Sequence, residues 1–261
     1  MPFLTFYTTE LKRRSAYAFD FWIRLIGPPL MQVLVSYFVW QAVYSGSGKD
    51  ILGGYSFNQI ILYQIIASMV FQMVQPEVGV VLMELYQGQL TKYLVYPVSY
   101  ISVCISRFYA FMTFGLGQII IVVLLLPLIN VETVSIKNLL LGSIISILSG
   151  TLFFLFASCI EFIGFWVEAA WGLVIMLQFL VSFLGGRMVP LTMFPEQAQF
   201  YVKLLPFHLL VDFPVRVFLG RVEHSEFVFS TLLLLIWITI SFCALKLIWK
   251  KGSYHYSGVG M

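Results

Sequence analysis

The side chains that could do chemistry in this sequence are few, and they stand in apolar surroundings. Between Phe57 and Met83, Gln64, Ser68, Gln72 and Gln75 recur at intervals of four, four and three, which puts them on one face of a helix, flanked by Phe71 and Pro76. Trp171, Gln178 and Ser182 share a second face that leads into Gly185 and Gly186. Amides, hydroxyls and aromatic rings carry no fixed charge. They can line a path for amphipathic molecules, or they can hydrogen-bond one helix to another, and spacing alone leaves both readings open. Glu77 and Arg107, on consecutive helices, are placed to form an ion pair.

Other chemistry is excluded residue by residue. GSGKD at 46–50 resembles a phosphate loop, but G-x-x-x-x-G-K-[ST] requires glycine at position 43 and Ser or Thr at position 50, where Val43 and Asp50 stand. H-E-x-x-H, C-x-x-C and G-x-S-x-G do not occur, and His208, His224 and His255 are scattered. No buried chain of Asp, Glu and His crosses the apolar segments, as a proton-driven carrier needs. No catalytic residue, no metal site and no cofactor bound by this chain is therefore expected. Cys104, Cys159 and Cys243 fall near the same ends of their segments, so no disulfide is expected either.

The elements that must position these residues follow from composition. Of 261 residues, 60% are hydrophobic and only 10% charged, against about 25% charged in a soluble domain. That excludes a soluble enzyme, a nucleic-acid binder and a disordered chain, and leaves an all-α integral membrane protein. Six runs reach the roughly 20 apolar residues a helical span needs: 22–44, 57–83, 102–129, 138–161, 165–186 and 227–249. They are long and continuous, unlike the short alternating strands of a barrel. Lys12, Arg13, Arg14, Arg24, Lys92, Arg107, Lys246, Lys250 and Lys251 gather on one side and only Lys49 and Lys137 in the short loops of the other. This bias places both termini in the cytoplasm. No cleavable signal peptide is expected.

The connectors are unusual. Residues 1–20 hold an amphipathic interface helix, with Phe3, Phe6, Tyr7 and Leu11 on one face and Thr5, Thr8, Thr9, Lys12 and Arg13 on the other. Segment 84–100, ELYQGQLTKYLVYPVSY, is too polar to span and too apolar for a free loop. It reads as a short cytoplasmic helix bent at Gly88 and stopped at Pro97, either a stiff surface element or a docking helix. Segment 187–226 is apolar but cut by Pro190, Pro195, Pro206 and Pro214, which suits short helices dipping back from the outside beside a pathway. Glu161 and Glu168 flank a short turn and are expected to be solvated.

This order of parts resembles the permease subunit of type-2 ABC exporters, in particular its drug-exporter-like subgroup. The segments that carry the resemblance are MELYQGQLTKYLVYPVSYISVCISRF, GGRMVPLTMFP with LLPFHLLVDFPVRVFLG, and the tail KKGSYHYSGVGM. The resemblance implies a single transmembrane domain that pairs with a second permease subunit, identical or related, in a bacterial cytoplasmic membrane. Two ABC ATPase subunits would hold the ATP and magnesium. Glu84, Gln87, Gly88, Gln89, Leu90, Lys92 and Tyr93 would contact the ATPase, and Pro76 and Gly88 would flex. Gln64, Ser68, Phe71, Gln72, Gln75, Trp171, Gln178 and Ser182 would line the pathway for a hydrophobic or amphipathic drug, lipid or natural product. Besides membrane lipids, no other partner is implied. A polysaccharide or glycolipid exporter permease, or an ion-coupled carrier or channel, is the alternative.

Overall fold

Runs of Leu, Ile, Val and Phe can satisfy their backbone groups in lipid only within helices, and helices dominate the computed structural model, which describes residues 2–16, 18–75, 78–95, 99–126, 134–167 and 170–256. In chain order they are α1 (Pro2–Ala16), α2 (Ala18–Ser47), a two-residue-per-strand hairpin of β1 (Ile51–Leu52) and β2 (Tyr55–Ser56), α3 (Phe57–Val74), α4 (Val80–Tyr86) and α5 (Thr91–Val95). Then come α6 (Tyr100–Leu125), α7 (Ile136–Phe162), α8 (Trp171–Leu184), α9 (Glu196–Leu204), α10 (Asp212–Phe218) and α11 (His224–Gly252).

Five helices among the described residues are long and apolar enough to cross a bilayer: Leu25–Ser47, Phe57–Val74, Tyr100–Leu125, Ile136–Phe165 and His224–Gly252. The fifth expected span, 165–186, is instead a 14-residue α8 behind a 3-10 turn at Ile163–Phe165. At 1.5 Å per residue α8 is about 21 Å long, short of a hydrocarbon core of about 30 Å. The second expected span also stops early, at Val74 rather than Met83. Pro76 bars helical backbone at the residue before it, and Gln75 accordingly leaves the helix at φ −117°, ψ 63°. The single helix expected over 84–100 is two short ones, α4 and α5. The helix that carries the first span, α2, extends past the expected 22–44 at both ends and continues through Pro28 and Pro29.

Apolar burial drives little association between helices in lipid, so close packing and hydrogen bonds must hold them. The centre is α3, whose Ile60, Tyr63, Ile66, Ala67, Val70, Met73 and Val74 are fully enclosed. Segment 186–222 folds back onto this centre, with α10 packed against α3 and α7. Gly142 on α7 lies so close to the Phe218 ring that a Cβ would be 2.5 Å from it, and Ser149 donates to the Leu209 carbonyl at 2.6 Å. Tyr63 Oη donates to the Gly186 carbonyl and to Asp212 Oδ1 at 2.8 and 2.9 Å. Arg216 then grips Glu226 with both Nη atoms, at 2.7 and 2.8 Å. Burial raises the Asp212 carboxyl above its usual range, against the pull of Arg216. By contrast, α2 packs on α3 along one side and leaves Leu34, Val35, Phe38 and Val39 exposed.

Candidate coupling site

At the end of the molecule that carries α1, helices α4 and α5 are held by groups the sequence did not advertise. Glu161, expected to be solvated, is 3% exposed. Its Oε1 accepts the Gly79 N–H at 2.7 Å and its Oε2 the Val81 N–H at 3.0 Å, capping the start of α4 from α7. Gly79 stands at φ +94°, and a Cβ there would lie 2.6 Å from the Trp171 ring. Glycine is therefore required on both counts.

The turn between α4 and α5 is built on Gly88 at φ +70°. Gln89 N–H donates to the Glu84 carbonyl and Gly88 N–H to the Leu85 carbonyl, the paired bonds of a Schellman stop. The seven residues expected to meet an ATPase part company here. Gln87, Gln89 and Lys92 are exposed, and Gly88 and Tyr93 are half-buried. Glu84 and Leu90 turn inward, at 8% and 1% exposure. Glu84 accepts from Arg107 Nη1 at 2.9 Å and from Tyr100 Oη at 2.6 Å, while Arg107 Nη2 donates to Tyr93 Oη at 2.7 Å. The partner of Arg107 among the described residues is thus Glu84; the expected partner, Glu77, lies outside them, as do Pro76 and Pro97. Below this network, Tyr93, Tyr100, Phe162, Phe165 and Trp249 pack ring against ring, tilted or stacked, and seat the segment on α7 and α11.

The N-terminal helix closes the site from the side. It is shorter than the expected 1–20 and packs along α6. Glu10, buried at its centre, is bonded by Arg13 and Arg14; burial pushes its carboxyl up, but the two arginines outweigh this and hold it below the ordinary range. Arg14 lies over the Phe111 ring and Tyr7 meets Thr113. Between α1, α4 and α6 a cleft of about 340 Å³ remains, lined by Phe6, Glu10, Arg13, Glu84, Tyr93 and Arg107 among others.

The expected pathway residues are divided. Gln64 donates to the Met188 carbonyl at 3.1 Å and Ser68 to the Ile65 carbonyl at 2.8 Å, so both are committed to internal bonds. Gln72, Gln75 and Gln178 are half-buried, Ser182 is buried, and Trp171 is exposed with its edge on Gly79. Phe71 is covered by Arg187, whose guanidinium carbon is 3.8 Å from the ring centroid. Sequence reasoning missed Glu161, whose partners are backbone N–H groups with no side-chain signature, and Arg187, which the charge bias counts only as part of a long loop. The groups of three or more His, Cys, Asp or Glu that a metal would need do not occur among the described residues.

No curated protein and no solved structure matches the chain. A family model described as "ABC-2 family transporter protein" matches residues 30–260, from the middle of α2 through α4 and α5 to the tail. With that match covering most of its length, the chain belongs to the ABC-2 transporter family and is a multi-pass type-2 ABC permease.

Proposed function

We propose that this permease is the membrane half of an ATP-driven exporter. Two copies, or one copy and a related subunit, enclose the pathway in a bacterial cytoplasmic membrane with their termini in the cytoplasm. Two separate ABC ATPases bind beneath and carry ATP and magnesium. The observation that supports this reading best is the α4–α5 corner. Gln87, Gln89 and Lys92 are offered to the cytosol on a base fixed by Glu84, Arg107, Tyr100 and Glu161. A short helix held so firmly from behind can receive a push without folding under it. The substrate is hydrophobic or amphipathic, and segment 186–222 acts as a re-entrant cover on the far side.

Co-expression with an ABC ATPase from the same source tests this directly. The two proteins are expected to co-purify, and ATP turnover by the complex should drive loading of inside-out vesicles. Gly88→Val, which forces a β-branched residue to φ +70°, should leave ATP turnover but reduce transport by about tenfold or more. Transport by the chain alone, driven by an ion gradient, would sink the reading.

A further inference from the structure

Arg187 follows α8 in sequence, yet its guanidinium lies far from the hairpin end of the molecule. It rests on the Phe71 ring, and its Nη2 donates to Gln32 Oε1 at 3.2 Å. Phe71 is fourteen residues into α3 and Gln32 fifteen before the end of α2. At 1.5 Å per residue the charge therefore sits about 21 Å from the hairpin end along both helices, within one turn of the other end of α3. Arg13, Arg14, Arg107 and Arg216 each hold a carboxylate. Arg187 holds none among the described residues, and its Nε is buried without a hydrogen-bond partner. One ring face and one neutral amide offset only part of what a guanidinium loses on leaving water. An oxyanion is the group whose chemistry would complete that offset. Apolar surface lies alongside: Met31 and Val35, flanking Gln32 on α2, and Met188 are all exposed. Just past the end of α3, four residues on from Phe71, Gln75 holds another buried donor, Nε2, without a partner.

We propose that Arg187, with Phe71 and Gln32, receives the carboxylate or phosphate headgroup of a transported amphiphile whose tail lies along the exposed face of α2. This rests on the exporter reading and narrows its substrate class from amphipathic to anionic. The same chemistry could come from a resident phospholipid, so the test separates the two. The full chain in phosphatidylcholine nanodiscs is titrated with dodecyl phosphate, with dodecyltrimethylammonium and with inorganic phosphate. Saturable binding is expected for dodecyl phosphate alone. Arg187→Gln should weaken it about tenfold or more, the worth of a lost charge-assisted hydrogen bond. Arg187→Lys, which keeps the charge but not the fork, should weaken it only about threefold. Equal binding by wild type and the Gln variant overturns the proposal, as does inorganic phosphate binding as tightly as dodecyl phosphate. Loss of dodecyl phosphate binding in discs rich in phosphatidylglycerol assigns the site to lipid and also overturns it; unchanged affinity there supports it. Should Arg187→Gln fail to fold, Phe71→Leu removes the ring face, and an affinity that does not fall defeats the proposal. No ATPase enters this measurement, so a failure of ATP-driven transport leaves its outcome readable.

Discussion

Glu161 illustrates how a carboxylate near a membrane surface can be structural rather than solvated. Its two oxygens satisfy two backbone donors at the start of α4. Glu161→Ala should leave both N–H groups unpaired and destabilise the protein by about 2–3 kcal/mol, while Glu161→Gln, which keeps one acceptor, should do less harm. Thermal unfolding of the purified chain in detergent checks the order of the three proteins; equal melting of wild type and the Ala variant would refute the assignment. The sequence could not reveal this role, because a backbone N–H looks the same after every residue type. Arg107 was legible as a paired charge, but two carboxylates stood within reach in sequence, and only the fold selects Glu84 as the described partner.

The elements themselves were read well where hydropathy decides and poorly where backbone geometry does. Continuous apolar runs located four of the five long helices among the described residues to within a few residues. The end of α3 was misplaced because Pro76 was taken as a flexing point inside a span rather than as the stop it imposes on Gln75. The division of 84–100 into α4 and α5 turned on Gly88, whose bend was foreseen and whose Schellman stop was not. In segment 186–222, prolines announced short helices, and these contain a pH-sensitive contact. His208 is buried with its Nδ1 on the Leu205 carbonyl, and burial pushes its pKa down to about 4. Its unfolded value is about 6.5, so between these values the unfolded chain binds more protons. Stability from this group is complete above about pH 6.5 and is lost as pH falls toward 4, by roughly 3 kcal/mol at the limit. His208→Gln keeps a donor for Leu205 and removes the titration. The difference in melting temperature between the two proteins should therefore shrink or reverse from pH 7 to pH 4.5; a difference constant with pH would count against it.

At the scale of the whole molecule, the faces left uncovered differ in kind. On α7, Leu140, Ile144 and Ile147 are exposed beside the faces packed by α10 and α11, as lipid-facing residues would be. On α2, exposure extends over Met31, Leu34, Val35 and Phe38, beside the half-buried stripe of α3. A paired subunit would cover the second face. With Cys243 replaced by Ser, Phe38→Cys should cross-link the purified chain to itself under oxidation and Ile144→Cys should not, as read from the covalent dimer on a denaturing gel. Cross-linking at Ile144 alone would place the pairing surface elsewhere.

The bond from Glu161 to Gly79 and Val81 also changes the mechanics of the assembly. Along the chain, α4 begins directly after a glycine with φ +94°. Across space it is joined to α7 by two hydrogen bonds to one carboxylate, and α7 is clasped along its length by α11. That is a strut. A stroke delivered to the corner from below would reach α7 and α11 first, and through Arg216 and Glu226 the cover on the far side. The central helix α3 would be the fulcrum about which the others rock, rather than the rod that carries the thrust.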